Sequence, residues 1–305
     1  MTAIAQELRE VFEFGGLSWR ELGKRVITGV RRTNCSGYAA ALAYYFLFSL
    51  FPFLIFLTAL LAYLPVGDWF ERVIALLSRF MPDAALALLR DYLSGLLSHQ
   101  RSGLLSFGIL IALWAASNGM LAISGSLNHA YGVEDGRPFW KVRVLAILLT
   151  LGLSLFLITS IVLLIFGPQI GGYVANLVGL GVVFEISWHI LRWPVILILV
   201  TIAIAAIYYF APDVEQQWKW IAPGSLFAVT MWTILSLGFS YYVNNFGSYD
   251  KTYGSIGAII VMLTWMYAIG FVILVGGVIN AEIEHASAGG KNPGEKHASV
   301  NISQV

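Results

Sequence analysis

The sequence predicts an all-α, polytopic membrane protein of six transmembrane helices in three in-out-in hairpins, with amphipathic helices on the outer side between spans one and two. Three observations predict it. Only 35 of 305 residues are Asp, Glu, Lys or Arg, or 11%, against about 25% in a soluble domain. Those charges avoid six runs, 33–67, 102–133, 144–184, 193–212, 220–249 and 252–281, as hydrocarbon requires when it excludes an ionised group at several kcal/mol. Each run reaches the ~20 residues that a helix needs to cross a bilayer core. The runs are also continuously apolar, without the period-two alternation of barrel strands, so their backbone is satisfied within helices.

Spans are expected near 36–65, 103–128, 144–167, 193–211, 223–243 and 255–280. They give three segments: an amphipathic N-terminal segment 1–35, a six-span domain 36–285 and a tail 286–305. The tail is rich in Gly, Ser, Lys and Asn and is expected to be disordered. With the N-terminus inside, 12 Lys and Arg fall on the cytoplasmic side and six on the other. That bias, with Arg31 and Arg32 directly before span one, predicts cytoplasmic termini. The charged first 32 residues do not resemble a cleavable signal.

Residues 18–32 place Trp19, Leu22, Val26 and Val30 at helical spacing, with Arg20 and Lys24 on another face. This pattern suits an interfacial helix that turns the chain into span one. Span one carries Pro52, which removes an amide donor and predicts a bend or tilt. Its small residues, with Gly108 in span two and Gly254 and Gly257 entering span six, recur at packing intervals that let helices approach closely. Between spans one and two, 68–101 alternates apolar and charged positions, and Pro82 divides it into two amphipathic helices. The second outer segment, 168–192, is glycine-rich and is expected to lie shallowly in the interface or to re-enter the protein.

Chemistry is sparse. The sequence shows no paired carboxylates, no nucleophile beside a base and no His or Cys at metal-ligand spacing, so no catalytic or metal residue and no cofactor is expected. No span holds an acid or a base at mid-depth, where ion-coupling residues usually sit. A net charge of +1 gives no field for nucleic acid, and one cysteine, Cys35, allows no internal disulfide. Asn118 stands out, because a primary amide has no self-contained solution within a helix. It reads first as an interhelical tie and second as a substrate contact.

The cytoplasmic span ends carry the remaining candidates. Asn128 and Tyr131 close span two, Arg137, Lys141 and Arg143 follow, and Lys219 and Trp220 precede span five. Aromatics beside Lys and Arg are the usual interfacial belt. The functional alternative is a basic rim of Arg137, Lys141, Arg143 and Lys219 that holds an anionic headgroup.

At these residues the chain resembles the YihY/BrkB family of bacterial inner-membrane proteins, historically labelled ribonuclease BN. Residues carrying the likeness are Tyr44-Tyr45-Phe46 and Ser49-Leu50-Phe51-Pro52, then Asn128 with Tyr131-Gly132, and Arg137-Pro138 with Lys141 and Arg143. Phe210-Ala211-Pro212-Asp213, Trp220 with Pro223-Gly224, Tyr253-Gly254-Ser255-Ile256-Gly257-Ala258, and Trp265 through Gly276 to Asn280 complete it, over roughly residues 20–285. The resemblance implies a six-span inner-membrane protein associated with envelope integrity and suspected of transport. Members often have an acid two positions before Asn280, where this chain has Val278, so proton coupling through that position is not expected.

The function these readings favour is a transporter or flippase-like handler of an amphipathic or lipid envelope substrate in the bacterial inner membrane, with membrane lipids as partners and no nucleic acid. The alternative is a non-transporting scaffold that docks an envelope protein through 68–101. A ribonuclease is the least supported.

Overall fold

The computed structural model describes residues 16–62, 102–178, 181–246, 249–287 and 290–297, with short pieces at 74–75, 78, 86–87 and 90–91. Among the described residues all regular structure is helical. The elements are α1 (Trp19–Arg32), α2 (Cys35–Ala62), α3 (Ser102–Tyr131), α4 (Phe139–Val178), α5 (Gly181–Phe210), α6 (Trp218–Phe246) and α7 (Tyr249–Ala286). Four of them, α4 to α7, contain stretches long and apolar enough to cross a membrane.

The Ser18 hydroxyl caps α1 by accepting from the Glu21 amide at 3.3 Å, which satisfies one of the amides a helix start leaves unpaired. Leu22 is buried and Val26 and Val30 pack on the core, whereas Trp19 is exposed. The amphipathic face predicted for 18–32 is therefore used by all but its first residue. The elbow into α2 is formed by Thr33 and Asn34. Asn34 takes a left-handed φ of 47°, a conformation Asn tolerates better than most residues, and its side chain accepts from the Gly37 amide.

The six long helices form a ring. Packing is most extensive within the pairs α2/α3, α4/α5 and α6/α7, the pairs that chain order joins as hairpins, and α7 closes the ring on α2. The core is drawn from inner faces of all six, including Leu42, Leu127, Ala146, Tyr208, Ile221 and Val272. Outer faces carry exposed apolar side chains such as Leu110, Leu148, Ile198 and Leu237, as suits contact with hydrocarbon rather than water.

Helices α6 and α7 meet backbone to backbone. A Cβ on Gly224 would lie 2.1 Å from the Gly276 carbonyl oxygen, and one on Gly276 would lie 2.3 Å from the Tyr208 hydroxyl. Pro223 has no amide to donate and disturbs the first turns of α6; the next amide, Gly224, donates to Asn280 Oδ1 at 2.8 Å. The Tyr208 hydroxyl donates to the Ile273 carbonyl at 2.6 Å, tying α5 to the same place. Val278 is buried beside Gly29 of α1, where an added Cβ would come within 2.7 Å of it.

Two expectations change. The segment 168–192 is helical almost throughout, because α4 continues to Val178 and α5 begins at Gly181. Its glycines serve packing, since the Trp188 indole donates to the Gly167 carbonyl and its ring covers Gly171. The tail is not disordered over 290–297: Lys291 is buried, and the Glu215 amide donates to the Lys296 carbonyl at 2.9 Å. Pro52, Gly108 and Gly254 lie on helical backbone, and Gly257 is buried in α7. The proposed outer helices of 68–101 fall almost entirely outside the described residues.

Candidate functional site

Two features could carry function: an apolar cavity inside the ring and a polar cap at the end of the ring that bears α1. The cavity measures about 340 Å³ and every ring helix contributes to it, among them Phe46, Gly119, Leu153, Ala203, Trp232 and Ile273. That is within the ~300–1,000 Å³ of small-ligand sites. Its few hydroxyls are turned away from a ligand. Ser49 donates to Phe46 O, Thr150 to Ala146 O and Ser154 to Thr150 O, each within its own helix. The walls therefore suit an acyl segment or another apolar group, and offer no partner to a charged one.

The cap is built from the loops 132–138 and 211–217, the end of α7 and the tail. Asn128, buried at the end of α3, spans the two loops. Its Oδ1 accepts from the Asp213 amide at 2.7 Å, and its Nδ2 donates to Asp135 at 3.1 Å. Arg137 grips Asp135 through Nε at 2.9 Å and Nη2 at 2.8 Å, and Nη2 also reaches the Ala211 carbonyl at 2.9 Å. Asp213 lies 3.5 Å from Arg137 Nε, accepts from the Gly136 amide and pairs with Lys296 of the tail at 2.5 Å. Ser124 donates to Ala211 O at 2.6 Å, fixing the second loop to α3.

Electrostatics follow this geometry. The Arg137 hydrogen bond holds the Asp135 carboxyl below the usual carboxylate range, against a smaller opposing effect of burial. Burial pushes Asp213 up, but the Lys296 and Gly136 hydrogen bonds and the charges of Arg137 and Lys296 together outweigh it and leave the carboxyl low. The Arg137 guanidinium is pushed up, chiefly by its bond to Asp135. Both acids are held ionised, as structural ties rather than as acid-base catalysts.

The candidate residues thus separate. Asn128 and Arg137 are joined in the cap, and Arg137 is committed to protein partners instead of standing on an open rim. Tyr131 is buried, with its hydroxyl 3.4 Å from Gln216 Oε1 and its ring edge-on to His285. Trp220 is also interior, packed with Leu22 and Ile283, and the Lys219 ammonium lies 4.6 Å from its ring. Lys141 is exposed beside Trp140. Asn118 makes the interhelical tie, its Oδ1 accepting from Arg143 at 2.9 Å, while Ser117 accepts from the same nitrogen at 2.8 Å.

Sequence reasoning missed the buried pair of Glu284 and Lys291 and the part of Asn280 in joining α6 to α7. An acid so close behind an apolar run was the available signal for Glu284. Among the described residues, no three His, Cys, Asp or Glu side chains come close enough to hold a metal ion.

A ring of apolar helices lining an apolar cavity, capped by a polar network, defines a helical membrane protein. The chain belongs to the family described as Virulence factor BrkB, which matches residues 26–301. It is 43% identical over 243 residues to YfkH of Bacillus subtilis (strain 168), a protein with a ribonuclease-like label, covering 80% of this chain and 88% of that one. It is also 27% identical over 253 residues to a UPF0761 membrane protein of Tolumonas auensis, covering 80% and 79%. The UPF0761 membrane protein RSc1559 of Ralstonia nicotianae is 30% identical over 255 residues, where the match spans 80% of this chain and 54% of the relative. No solved structure matches.

Proposed function

We propose that this protein is a transporter or flippase-like handler of an amphipathic or lipid envelope substrate in the bacterial inner membrane, crossing it six times with both termini in the cytoplasm. The observation that supports this reading is the cavity of about 340 Å³ lined by all six long helices. A scaffold has no need of such a space, since close-packed interiors leave few voids larger than a water molecule. Because the lining hydroxyls are bonded back to their own helices, the cavity suits the apolar part of a substrate, and a charged part would travel outside it. The ribonuclease-like label of YfkH suggests the competing reading. Metal-dependent cleavage of tRNA by the purified protein would favour that reading over transport.

The test is reconstitution into liposomes with a fluorescent phospholipid whose outer-leaflet population is quenched chemically. Ala203→Phe fills the cavity from α5. We expect transbilayer movement at least ten-fold slower than wild type at equal yield and monodispersity. Equal rates in the two proteins, or no movement above empty liposomes, would sink the proposal.

A further inference from the structure

Arg137 and Arg143 stand six positions apart and use their guanidinium groups differently. In Arg137 the edge made by Nε and Nη2 is filled by the two oxygens of Asp135 at 2.9 and 2.8 Å. In Arg143 only Nη1 is engaged, with Ser117 at 2.8 Å, Asn118 at 2.9 Å and the Trp114 carbonyl at 3.5 Å. Its Nε is buried without a partner, and Nη2 makes no hydrogen bond among the described residues. No ion pair among those residues involves it. The edge that one arginine fills with a carboxylate thus has no protein partner in the other, and no acid among the described residues pairs with it.

The surroundings select the missing anion. The guanidinium carbon lies 4.1 Å from the Trp114 ring centre and 5.5 Å from that of Phe139. Leu110, Ile111 and Trp114 on α3 are exposed, as are Phe139, Trp140, Val144 and Leu148 on α4. An arginine held in such an apolar wall is costly unless it faces an anion or water. A guanidinium edge matches two oxygens of a phosphate, and the exposed aliphatic side chains match acyl chains. Nε has no solvent access in this arrangement, so a bound oxygen reaches it only after a side-chain shift, whereas Nη2 needs none.

We propose that the outward face of α3 and α4 at Arg143 is a seat for the phosphate of an anionic phospholipid, held by Nη2 and, once the side chain turns, by Nε, and flanked by Trp114 and Phe139. This deepens the transport reading, and rests on it for the lipid's role as substrate, while binding itself requires no transport. Ser117 and Asn118, which hold Arg143, are sequence neighbours of Ala116 and Gly119, which line the cavity from the same helix.

The experiment is native mass spectrometry of the full chain in mild detergent, titrated with dioleoyl phosphatidylglycerol or dioleoyl phosphatidylcholine. Wild type is expected to bind the anionic lipid about ten-fold more tightly, and inorganic phosphate is expected not to displace it. Arg143→Gln should weaken binding about ten-fold and Arg143→Lys several-fold, because lysine restores charge but not the two-pronged edge. Arg20→Gln, at an exposed arginine of α1, should change it less than two-fold. Equal affinity for the two lipids by wild type, full binding by Arg143→Gln, or displacement by inorganic phosphate would each overturn the proposal. The lipid comparison needs no variant, so it decides even if Arg143→Gln does not fold. Loss of anionic-lipid selectivity in Arg143→Gln with unchanged transbilayer movement would mark failure of the transport reading alone, whereas equal lipid affinities in wild type mark failure of the seat.

Discussion

The ammonium of Lys291 donates to the carboxylate of Glu284, and both side chains are only 2% exposed. Lys291 also donates to the Glu215 carbonyl, so one tail residue joins the end of α7 to the loop before α6. A charge pair taken out of water is held by its geometry, and removing one member strands the other.

Lys291→Ala should therefore destabilise the protein by about 3–5 kcal/mol, the usual effect of breaking a buried pair. The double variant Glu284→Leu with Lys291→Met should recover much of that loss, since an apolar pair of similar volume needs no hydration. Thermal unfolding in detergent measures both. A single variant that unfolds at the wild-type temperature would show that the pair is not buried.

Acid should loosen the cap. Asp135 and Asp213 are both held below the ordinary carboxylate pKa, which is about 3.9 for a free Asp. A group lowered by folding stabilises the native state above its unfolded pKa, and that contribution disappears as pH falls through the folded value. Stability from this network should thus be constant from pH 7 to about pH 5, fall below about pH 4 and be lost once both acids are protonated. Asp213→Asn should flatten part of that acid limb. An identical pH profile for the variant and wild type would contradict the assignment.

Asn128 offers a local test of the same cap. Its side chain is buried, donates to Asp135 and accepts from the Asp213 amide. Asn128→Leu keeps the volume and leaves that amide unpaired, at about 1–3 kcal/mol. Hydrogen exchange at the Asp213 amide should accelerate with it, and unchanged exchange there would show that the bond contributes nothing.

The sequence patterns reached different depths in different places. Charge-free runs located six long helices, because hydrocarbon excludes ions wherever a helix crosses it. They underestimated α4 and α5, which continue past the apolar stretch and carry Lys141, Arg143 and Arg192 within the helix. Absence of charge marks contact with lipid and does not mark where a helix ends. Asn118 was legible as a tie because its amide needs a partner from another helix. Arg137 was read as a headgroup donor on the rim, whereas the structure commits it to Asp135 and to Ala211 and Asp213 of another loop that only the fold brings near. The tail misled: its composition is that of a solvated segment, yet a single lysine with a buried acid to meet holds it down.

The contact between α6 and α7 yields a graded series. Gly238, also in α6, has nothing within 4 Å of an added Cβ; Gly238→Ala should be neutral or stabilising by up to about 1 kcal/mol through helix propensity. Gly276→Ala places a methyl group 2.3 Å from the Tyr208 hydroxyl and 2.8 Å from the Gly224 carbonyl oxygen, so either α6 or α5 must move. Overpacking of this kind usually costs about 1–3 kcal/mol and sometimes more. Adding Tyr208→Phe removes the nearer clash, together with the bond to Ile273, and should give partial recovery. Gly224→Ala has no such rescue, because its methyl would meet the Gly276 carbonyl oxygen at 2.1 Å, and backbone cannot be trimmed. Melting temperatures should therefore fall in the order Gly238→Ala, the Gly276→Ala/Tyr208→Phe double variant, Gly276→Ala and Gly224→Ala. A Gly224→Ala protein as stable as wild type would mean that the two helices do not meet at this point.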